Sequence, residues 1–532
     1  MAPPNDPQWP ADDHDGTDRT YEMPIQQPQQ LPVLPAVVHA QPMRIEPSGE
    51  QHPATAVTPG GEQPPPPQPP RKRRRGLLIG ALVLVVLLLG GTAYAATLPA
   101  VSNRLGLPWA PNAPKGDPPG PVPVSRVLAP PGPSAPSPTA DGVRSALAGV
   151  AGSSALGTLT GAVIDPATGK VLWERDGGKP LTPASTTKVL TAAAALLALD
   201  HTSQLSTKVV QGSEPGTVVL VAGGDVTLTS LPDGKESLYP GAAHLSELVA
   251  QVKAAGVDVE RVQLDTSLFT GAKTAPGWAP EDAPSTYMAP VEPVMLDGGR
   301  GNPAEFKSQR LANPAATMLG KLADALGARA AGQGKAPEGA KVLGEVKSAP
   351  LTELVDILLT QSDNLIADVV GRLVAIKAGA EPSFAGGAKA TLEVLRQNQF
   401  DVGDVELSDG SGLSTLNKVP ARTLAQVLSV AAAPDGKDPR TAKLRPLLGG
   451  LPVAAGSGTL ADRYTSGASA DGKGWVRAKT GTLSGVNTLA GVVLDKDGHV
   501  LVFALMSAGS ELKAGQGALD AVAAKLRGCG CR

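Results

Sequence analysis

The stretch Pro183-Ala184-Ser185-Thr186-Thr187-Lys188-Val189-Leu190-Thr191-Ala192-Ala193-Ala194-Ala195-Leu196-Leu197 decides how the chain is read. Proline suits the residues just before or at a helix start, so Ser185 falls at or near a helix N-terminus. Residues three apart share a helix face, so Lys188 reaches back to Ser185. The residues behind them are apolar nearly all round, which implies a buried helix. A hydroxyl and an amine therefore stand side by side at the positive end of a core helix. A serine hydroxyl is a weak nucleophile until a base takes its proton. Lysine is such a base when burial or a cationic neighbour keeps it neutral. The helix terminus favours negative charge on the reacting oxygens. Ser-x-x-Lys alone is common, and Ser510-Glu511-Leu512-Lys513 repeats it in a Gly-rich region.

Two further motifs give the first its weight. Ser362-Asp363-Asn364 sits inside the apolar, helix-like stretch 358–370, and Lys479-Thr480-Gly481-Thr482 lies on a strand expected over 475–483. Ser-x-x-Lys, Ser-Asp-Asn and Lys-Thr-Gly in this order form the motif set of penicillin-binding proteins and class A β-lactamases. Their chemistry divides naturally. Ser185 attacks a carbonyl and becomes acylated, and Lys188 takes its proton. Ser362 relays a proton to the leaving amine, while the positive field of Lys479 keeps Lys188 deprotonated. Asn364 fixes the substrate amide or orients Lys188. Gly481 is expected to let substrate backbone lie close to the strand. The N–H groups of Ser185 and Thr482 are the expected oxyanion donors. Lys479 with the Thr480 and Thr482 hydroxyls suits a substrate carboxylate.

Composition removes other classes. The net charge of −2 leaves no basic face for nucleic acid, and no RNP or zinc-finger pattern occurs. Six histidines are scattered, and no His-Glu-x-x-His, Gly-x-Ser-x-Gly, Walker or dinucleotide motif is present, so no metal or cofactor is expected. Aromatic residues make up 3%, so alanine, valine and leucine must build the core. The two cysteines, Cys529 and Cys531, lie in the last four residues, so the folded part has no disulfide framework. The tail 529–532 is expected to be inert, with pairing between chains or metal binding as alternatives.

At 532 residues the chain should hold more than one unit. Residues 1–70, rich in proline and glutamine, read as a disordered cytoplasmic arm that offers a partner a polyproline segment. The segment 71–96 joins Arg71-Lys72-Arg73-Arg74-Arg75 to an uncharged run from Gly76 to Ala96. At about 1.5 Å per residue that run spans roughly 31 Å, enough for a bilayer core. The basic cluster puts the N-terminal side in the cytoplasm and the rest outside, as a single-pass protein of the cell membrane. A signal peptide cleaved near Ala95 is the alternative, and the long segment before it favours an uncleaved anchor. Residues 97–140 read as a Pro-rich extracytoplasmic linker. The catalytic core should then run over 141–200 and 346–528, with inserted subdomains at 201–345. Strands are expected at 158–164, 171–173, 475–483, 486–494 and 500–506. Helices are expected at 352–375, 388–399 and 518–526.

With these motifs in place the chain resembles the class C low-molecular-mass penicillin-binding proteins, serine D-alanyl-D-alanine carboxypeptidases and endopeptidases. The resemblance covers about residues 145–527. It also rests on 162–173, Gly223-Gly224-Asp225-Val226-Thr227-Leu228, Pro276-Gly277-Trp278 and Asp409-Gly410-Ser411-Gly412-Leu413-Ser414. That family is similar in carrying a long insertion between its first two motifs. Val226 stands where the family usually has proline, and Thr415 where arginine is common. The resemblance implies an α/β penicillin-recognising, β-lactamase-like core, an antiparallel sheet with flanking helices, carrying one or two inserted subdomains. It also implies peptidoglycan stem peptides as substrate and β-lactam antibiotics as covalent inhibitors. A serine β-lactamase is the second reading. Its deacylating glutamate would be Glu393 with Asn398, one residue off the Glu-x-x-x-Asn spacing. A catalytically silent scaffold is the third, opposed by intact Lys188, Ser362 and Lys479.

Overall fold

The computed structural model describes residues 94–98, 101, 104–105 and 135–531. The chain divides into two units, Met1–Val122 and Pro123–Arg532. The arm, the basic cluster and nearly all of the expected anchor lie outside the described residues. Among the described residues no helix is long and apolar enough to cross a membrane.

The second unit opens with α1 (Ala140–Leu147), capped by the Thr139 hydroxyl. Strands β1 (Thr158–Asp165) and β2 (Lys170–Arg175) follow, then the short β3 (Pro180–Leu181). A 3-10 turn, Ala184–Thr186, leads into α2 (Thr187–Ala198). The inserted region supplies β4 (Gln204–Gln211), β5 (Thr217–Val221), α3 (Leu245–Ala254), β6 (Arg261–Asp265), α4 (Pro314–Leu326), β7 (Arg329–Gln333) and β8 (Val342–Pro350). The chain then returns through α5 (Leu351–Thr360), α6 (Asn364–Lys377), α7 (Phe384–Gln397), β9 (Val419–Pro420) and α8 (Ala421–Ala432). It ends with β10 (Val476–Leu483), β11 (Val486–Leu494), β12 (Val500–Ala508) and α9 (Leu512–Arg527).

The main sheet is antiparallel, in the order β10-β11-β12-β1-β2, so its first and last strands in sequence meet at its centre. Both faces are buried, and period-2 alternation sorts their side chains. On β12, Leu501, Phe503 and Leu505 join a core with residues of α1 and α9, while Val502, Ala504 and Met506 face a core with residues of α2 and α8. The inserted region has its own sheet, β7-β6-β5-β4-β8, and its own core. Its β5-β6 and β6-β7 pairs are parallel, joined through α3 and α4. Such crossovers need a helix to return the chain to the same edge.

Two expectations change on the structure. The helix expected over 352–375 is two helices, α5 and α6, broken at 361–363. Ser362 takes a left-handed backbone, φ +58°, which no helix interior accepts. Asp363 then caps α6 by accepting from the Ile366 N–H at 2.9 Å. The tail is also not loose. Cys529 and Cys531 are paired with each other and buried in the core behind the main sheet. The Cys531 carbonyl accepts from the Thr139 N–H at 2.6 Å, tying the last described residue to the first helix.

Candidate active site

Each element delivers one part of the site. The 3-10 turn ahead of α2 holds Ser185, half-buried, at the head of a helix whose interior is wholly enclosed. Ala184 adopts φ +48°, and Gly412 packs so tightly on it that a Cβ there would sit 1.9 Å from the Ala184 carbonyl oxygen. Left-handed non-glycine residues store about 1–3 kcal/mol each and persist where the surroundings over-determine them. Ala184 and Ser362 both lie beside reactive side chains, so the strain sits at the site itself.

Lys188 is fully buried and makes three contacts. Its Nζ lies 2.6 Å from Asn364 Oδ1, 2.5 Å from the Ser411 carbonyl and 3.0 Å from Ser185 Oγ. An ammonium uses all three hydrogens here. A neutral amine keeps its two hydrogens on the closer pair of acceptors and turns its lone pair to the Ser185 hydroxyl. Burial pulls the Lys188 pKa down to about 8, against the opposing pull that Asp368, Asp409 and Asp363 exert when ionised. Asn364 is held by its own N–H, donated from Nδ2 to the Tyr287 carbonyl at 3.3 Å, which leaves Oδ1 for the lysine. Of the two roles open to Asn364, the contact seen is with Lys188.

Lys479 is the second buried amine. Its Nζ donates to Ser362 Oγ at 2.8 Å and to the Thr480 carbonyl at 2.7 Å. Burial, then the charge of Lys188, hold its pKa well below the ordinary lysine value. Enclosure works against the charged form of both amines, and the acids near Lys188 oppose it there. Asp363, between Ser362 and Asn364, behaves oppositely. Burial alone would raise its pKa, but Arg310 and Arg300 outweigh that and hold it below the usual carboxylate value. Its Oδ2 accepts from the Tyr239 hydroxyl at 3.0 Å and lies 3.7 and 3.9 Å from Arg310 and Arg300. All three partners belong to the inserted region, which thus grips the middle of the Ser-Asp-Asn turn.

Strand β10 is the outer strand of the main sheet. The Ala478 N–H donates outward to the Pro452 carbonyl, so by alternation the N–H groups of Thr480 and Thr482 face the same free edge. The Thr480 hydroxyl meets that of Thr459 at 2.7 Å, and Gln516 Nε2 donates to the Thr482 hydroxyl at 3.3 Å. Gly481 packs against the first motif. A Cβ there would lie 2.2 Å from Thr488 Oγ1, 2.7 Å from the Pro183 carbonyl and 3.0 Å from the Ser185 nitrogen. Its missing side chain makes room for the Ser185 turn. The Ser185 N–H is one of the first in its turn, which have no intrahelical acceptor.

The expected residues therefore converge. Lys188 joins the first motif to Asn364, Lys479 joins the third to Ser362, and Gly481 packs the third against Ser185. Ser510-x-x-Lys513 does not take part: Ser510 accepts from Asn487 Nδ2 at 3.0 Å, and Lys513 is exposed. Glu393, the base a β-lactamase would need, is half-buried on α7 and bound to Arg396 and Gln397 of its own helix. Sequence reasoning missed the Ser411 and Tyr287 carbonyls, the Tyr239–Arg300–Arg310 cluster and the acids near Lys188. Asp363, Asp409 and Ser411 stood in quoted motifs without a role, and Asp368 left a local trace one helical turn after Asn364.

A profile of the D-Ala-D-Ala carboxypeptidase 3 (S13) family matches residues 143–317 and 301–526. The chain is 44% identical over 421 residues to Carboxypeptidase Rv3627c of Mycobacterium tuberculosis, covering 78% of this chain and 90% of that protein. It is 44% identical over 430 residues to Carboxypeptidase DacB of Mycolicibacterium smegmatis, covering 80% and 90%. Among solved structures it is similar in fold to penicillin binding protein 4 (dacB) from Haemophilus influenzae. That match has TM-score 0.59 and 23% identity, and covers 72% of this chain and 98% of the other.

Proposed function

The chain belongs to the D-Ala-D-Ala carboxypeptidase 3 (S13) family of hydrolases, and from that membership we propose that it cleaves the D-Ala-D-Ala bond of peptidoglycan stem peptides through an acyl-Ser185 intermediate. The observation that carries the roles is the lysine's coordination. Two acceptors hold its hydrogens and leave its lone pair 3.0 Å from the Ser185 oxygen.

Lys188 takes the Ser185 proton as Oγ attacks the carbonyl carbon of the penultimate D-Ala. The Ser185 and Thr482 N–H groups receive the oxyanion, and such donors contribute about 3–4 kcal/mol each. Ser362, polarised by Lys479, passes a proton to the departing D-Ala nitrogen. Lys479 with the Thr480 and Thr482 hydroxyls receives the terminal carboxylate. Water then hydrolyses the ester by the same route in reverse. A β-lactam presents a carbonyl and a carboxylate in the same positions and acylates Ser185, and its release is slow because Glu393 does not serve the site.

Ser185→Ala in the full chain is expected to abolish both peptide cleavage and covalent labelling by penicillin. Labelling that persists in that variant refutes the nucleophile. Mass spectrometry of treated cell-wall fragments separates loss of one alanine from loss of cross-links, and so carboxypeptidase from endopeptidase action. Rapid turnover of benzylpenicillin would favour the β-lactamase reading instead.

The run from Gly76 to Ala96 after the five basic residues supports membrane anchoring with the catalytic unit outside the cell. Fractionation into membranes, lost on deleting 76–96, tests it. The Pro-rich arm is proposed to bind a cytoplasmic partner. Deleting 1–70 with localisation and activity unchanged leaves it without that role.

A further inference from the structure

Beneath Lys188 lie two buried carboxyl groups that the catalytic steps above do not use. They sit in opposite environments. Asp409, on the loop after α7, collects five donors. Its Oδ1 accepts from the Gly412 N–H at 2.8 Å and Asn417 Nδ2 at 2.7 Å. Its Oδ2 accepts from Trp278 Nε1 at 2.8 Å, the Ser414 N–H at 2.7 Å and the Ser411 hydroxyl at 3.1 Å. Asp368, on α6, accepts on Oδ1 alone, from the Gly410 N–H at 2.7 Å and the Ser411 N–H at 3.2 Å. Its Oδ2 is buried and has no hydrogen-bond partner among the described residues. That oxygen's neighbourhood includes a small cavity lined by Asp368, Arg372, Ser383, Phe384 and Gly410.

Donors stabilise a carboxylate, and burial without them favours the acid. Two nearby carboxyl groups whose surroundings differ this far take different protonation states. The unpartnered, buried Oδ2 of Asp368 favours the acid form of that group. The Asp368 pKa is raised to about 8, by burial first and then by the charge of Asp409.

We propose that Asp368 is a positioning residue for the catalytic lysine: as a neutral carboxylic acid it fixes the Gly410-Ser411 backbone, and so the Ser411 carbonyl that holds one Lys188 hydrogen, without placing a second negative charge below the amine. A charged Asp368 would tighten the lysine's hold on its proton and weaken it as a base. The other charged groups facing this pair are Asp409, Asp363 and Lys479 around Lys188, and Arg372 on the same helix as Asp368. Arg372 donates through its Nη atoms to the carbonyls of Thr270, Pro382 and Ala272, while its Nε has no hydrogen-bond partner among the described residues.

The inference rests on Lys188 acting as the base, and the experiment separates the two. Full-length wild type, Asp368→Asn and Asp368→Ala are compared for the rate of acylation by benzylpenicillin across pH, with circular dichroism as a folding control. Asparagine keeps the Oδ1 acceptor and the neutral charge. It should acylate within about threefold of wild type with the acid limb of the pH profile unmoved, whereas alanine should lose roughly 30-fold or more through the freed loop. An acid limb displaced by about one pH unit in Asp368→Asn would show a working carboxylate and overturn the proposal. Wild-type rates in folded Asp368→Ala would overturn it equally. If alanine fails to fold, the asparagine profile alone decides. A wild-type profile with no acid limb would instead fail the assignment of Lys188.

Discussion

The most informative perturbation is Asp363→Asn, because one atom change separates charge from shape. The Asp363, Arg300 and Arg310 side chains are 2%, 1% and 3% exposed, so water screens none of them. Asparagine keeps the oxygen that caps α6 through the Ile366 N–H. It removes the charge that balances two enclosed guanidinium groups. Removing one partner of a buried pair costs about 3–5 kcal/mol. The lower end applies, since Arg300 and Arg310 retain the Asp297 and Gly298 carbonyls as acceptors. For a folded unit of this size, about 3 kcal/mol lowers the melting temperature by roughly 4 °C. Asp363→Ala also loses the cap, a further ~1 kcal/mol. Function should suffer more than stability. Asp363 stands between Ser362 and Asn364, and a displacement of about 1 Å at such groups costs on the order of a hundredfold in rate. The assays are thermal unfolding and the rate of penicillin acylation. The sign against pH is also fixed. A lowered pKa adds stability that is complete above the ordinary 3.8 and is lost as pH falls through the folded value, so the variant should show a flatter acid dependence. A melting point within 1 °C and acylation within twofold of wild type (both on the order of measurement error) would refute the gripping role of the inserted region.

Three other outcomes follow from the geometry around Lys188 and Gly481. Lys188 must be neutral to act, so acylation should fall about tenfold per pH unit below about 8, read from a pH series of labelling rates. Its lowered pKa also means that the unfolded chain holds the proton more tightly between about 8 and 10.5, so the Lys188 contribution to stability rises with pH across that window and is most unfavourable below it. Gly481→Ala forces a methyl group to within 2.2 Å of Thr488 Oγ1 and 2.7 Å of the Pro183 carbonyl. Overpacking of this kind costs about 1–3 kcal/mol, and the displaced Ser185 turn should lose most labelling; a variant labelled at the wild-type rate would mean that β10 and the turn are not in close register.

The residues of the site were legible in sequence because their local settings are covalently fixed. Ser185 and Lys188 share a helix face by spacing alone, and the near-continuous apolar runs of β11 and β12 announce strands with two buried faces. What spacing could not convey is which groups meet over long separations. Lys188 finds Asn364 and Ser411 only because α2, α6 and the 409–414 loop pack together. The break at Ser362 was hidden, since residues 352–375 are apolar enough for one helix and a positive φ on serine leaves no compositional mark. Gly481 was only partly legible for the same reason: a glycine shows that something approaches closely, and only the packed structure shows that Thr488 and the Ser185 turn do so. The sequence by itself determined the pairing of Ser185 with Lys188 on one helix face, the second lysine and the strand that carries the third motif. Tertiary structure decided the protonation of those amines and their acid neighbours, because pKa depends on burial and on donors brought from distant segments.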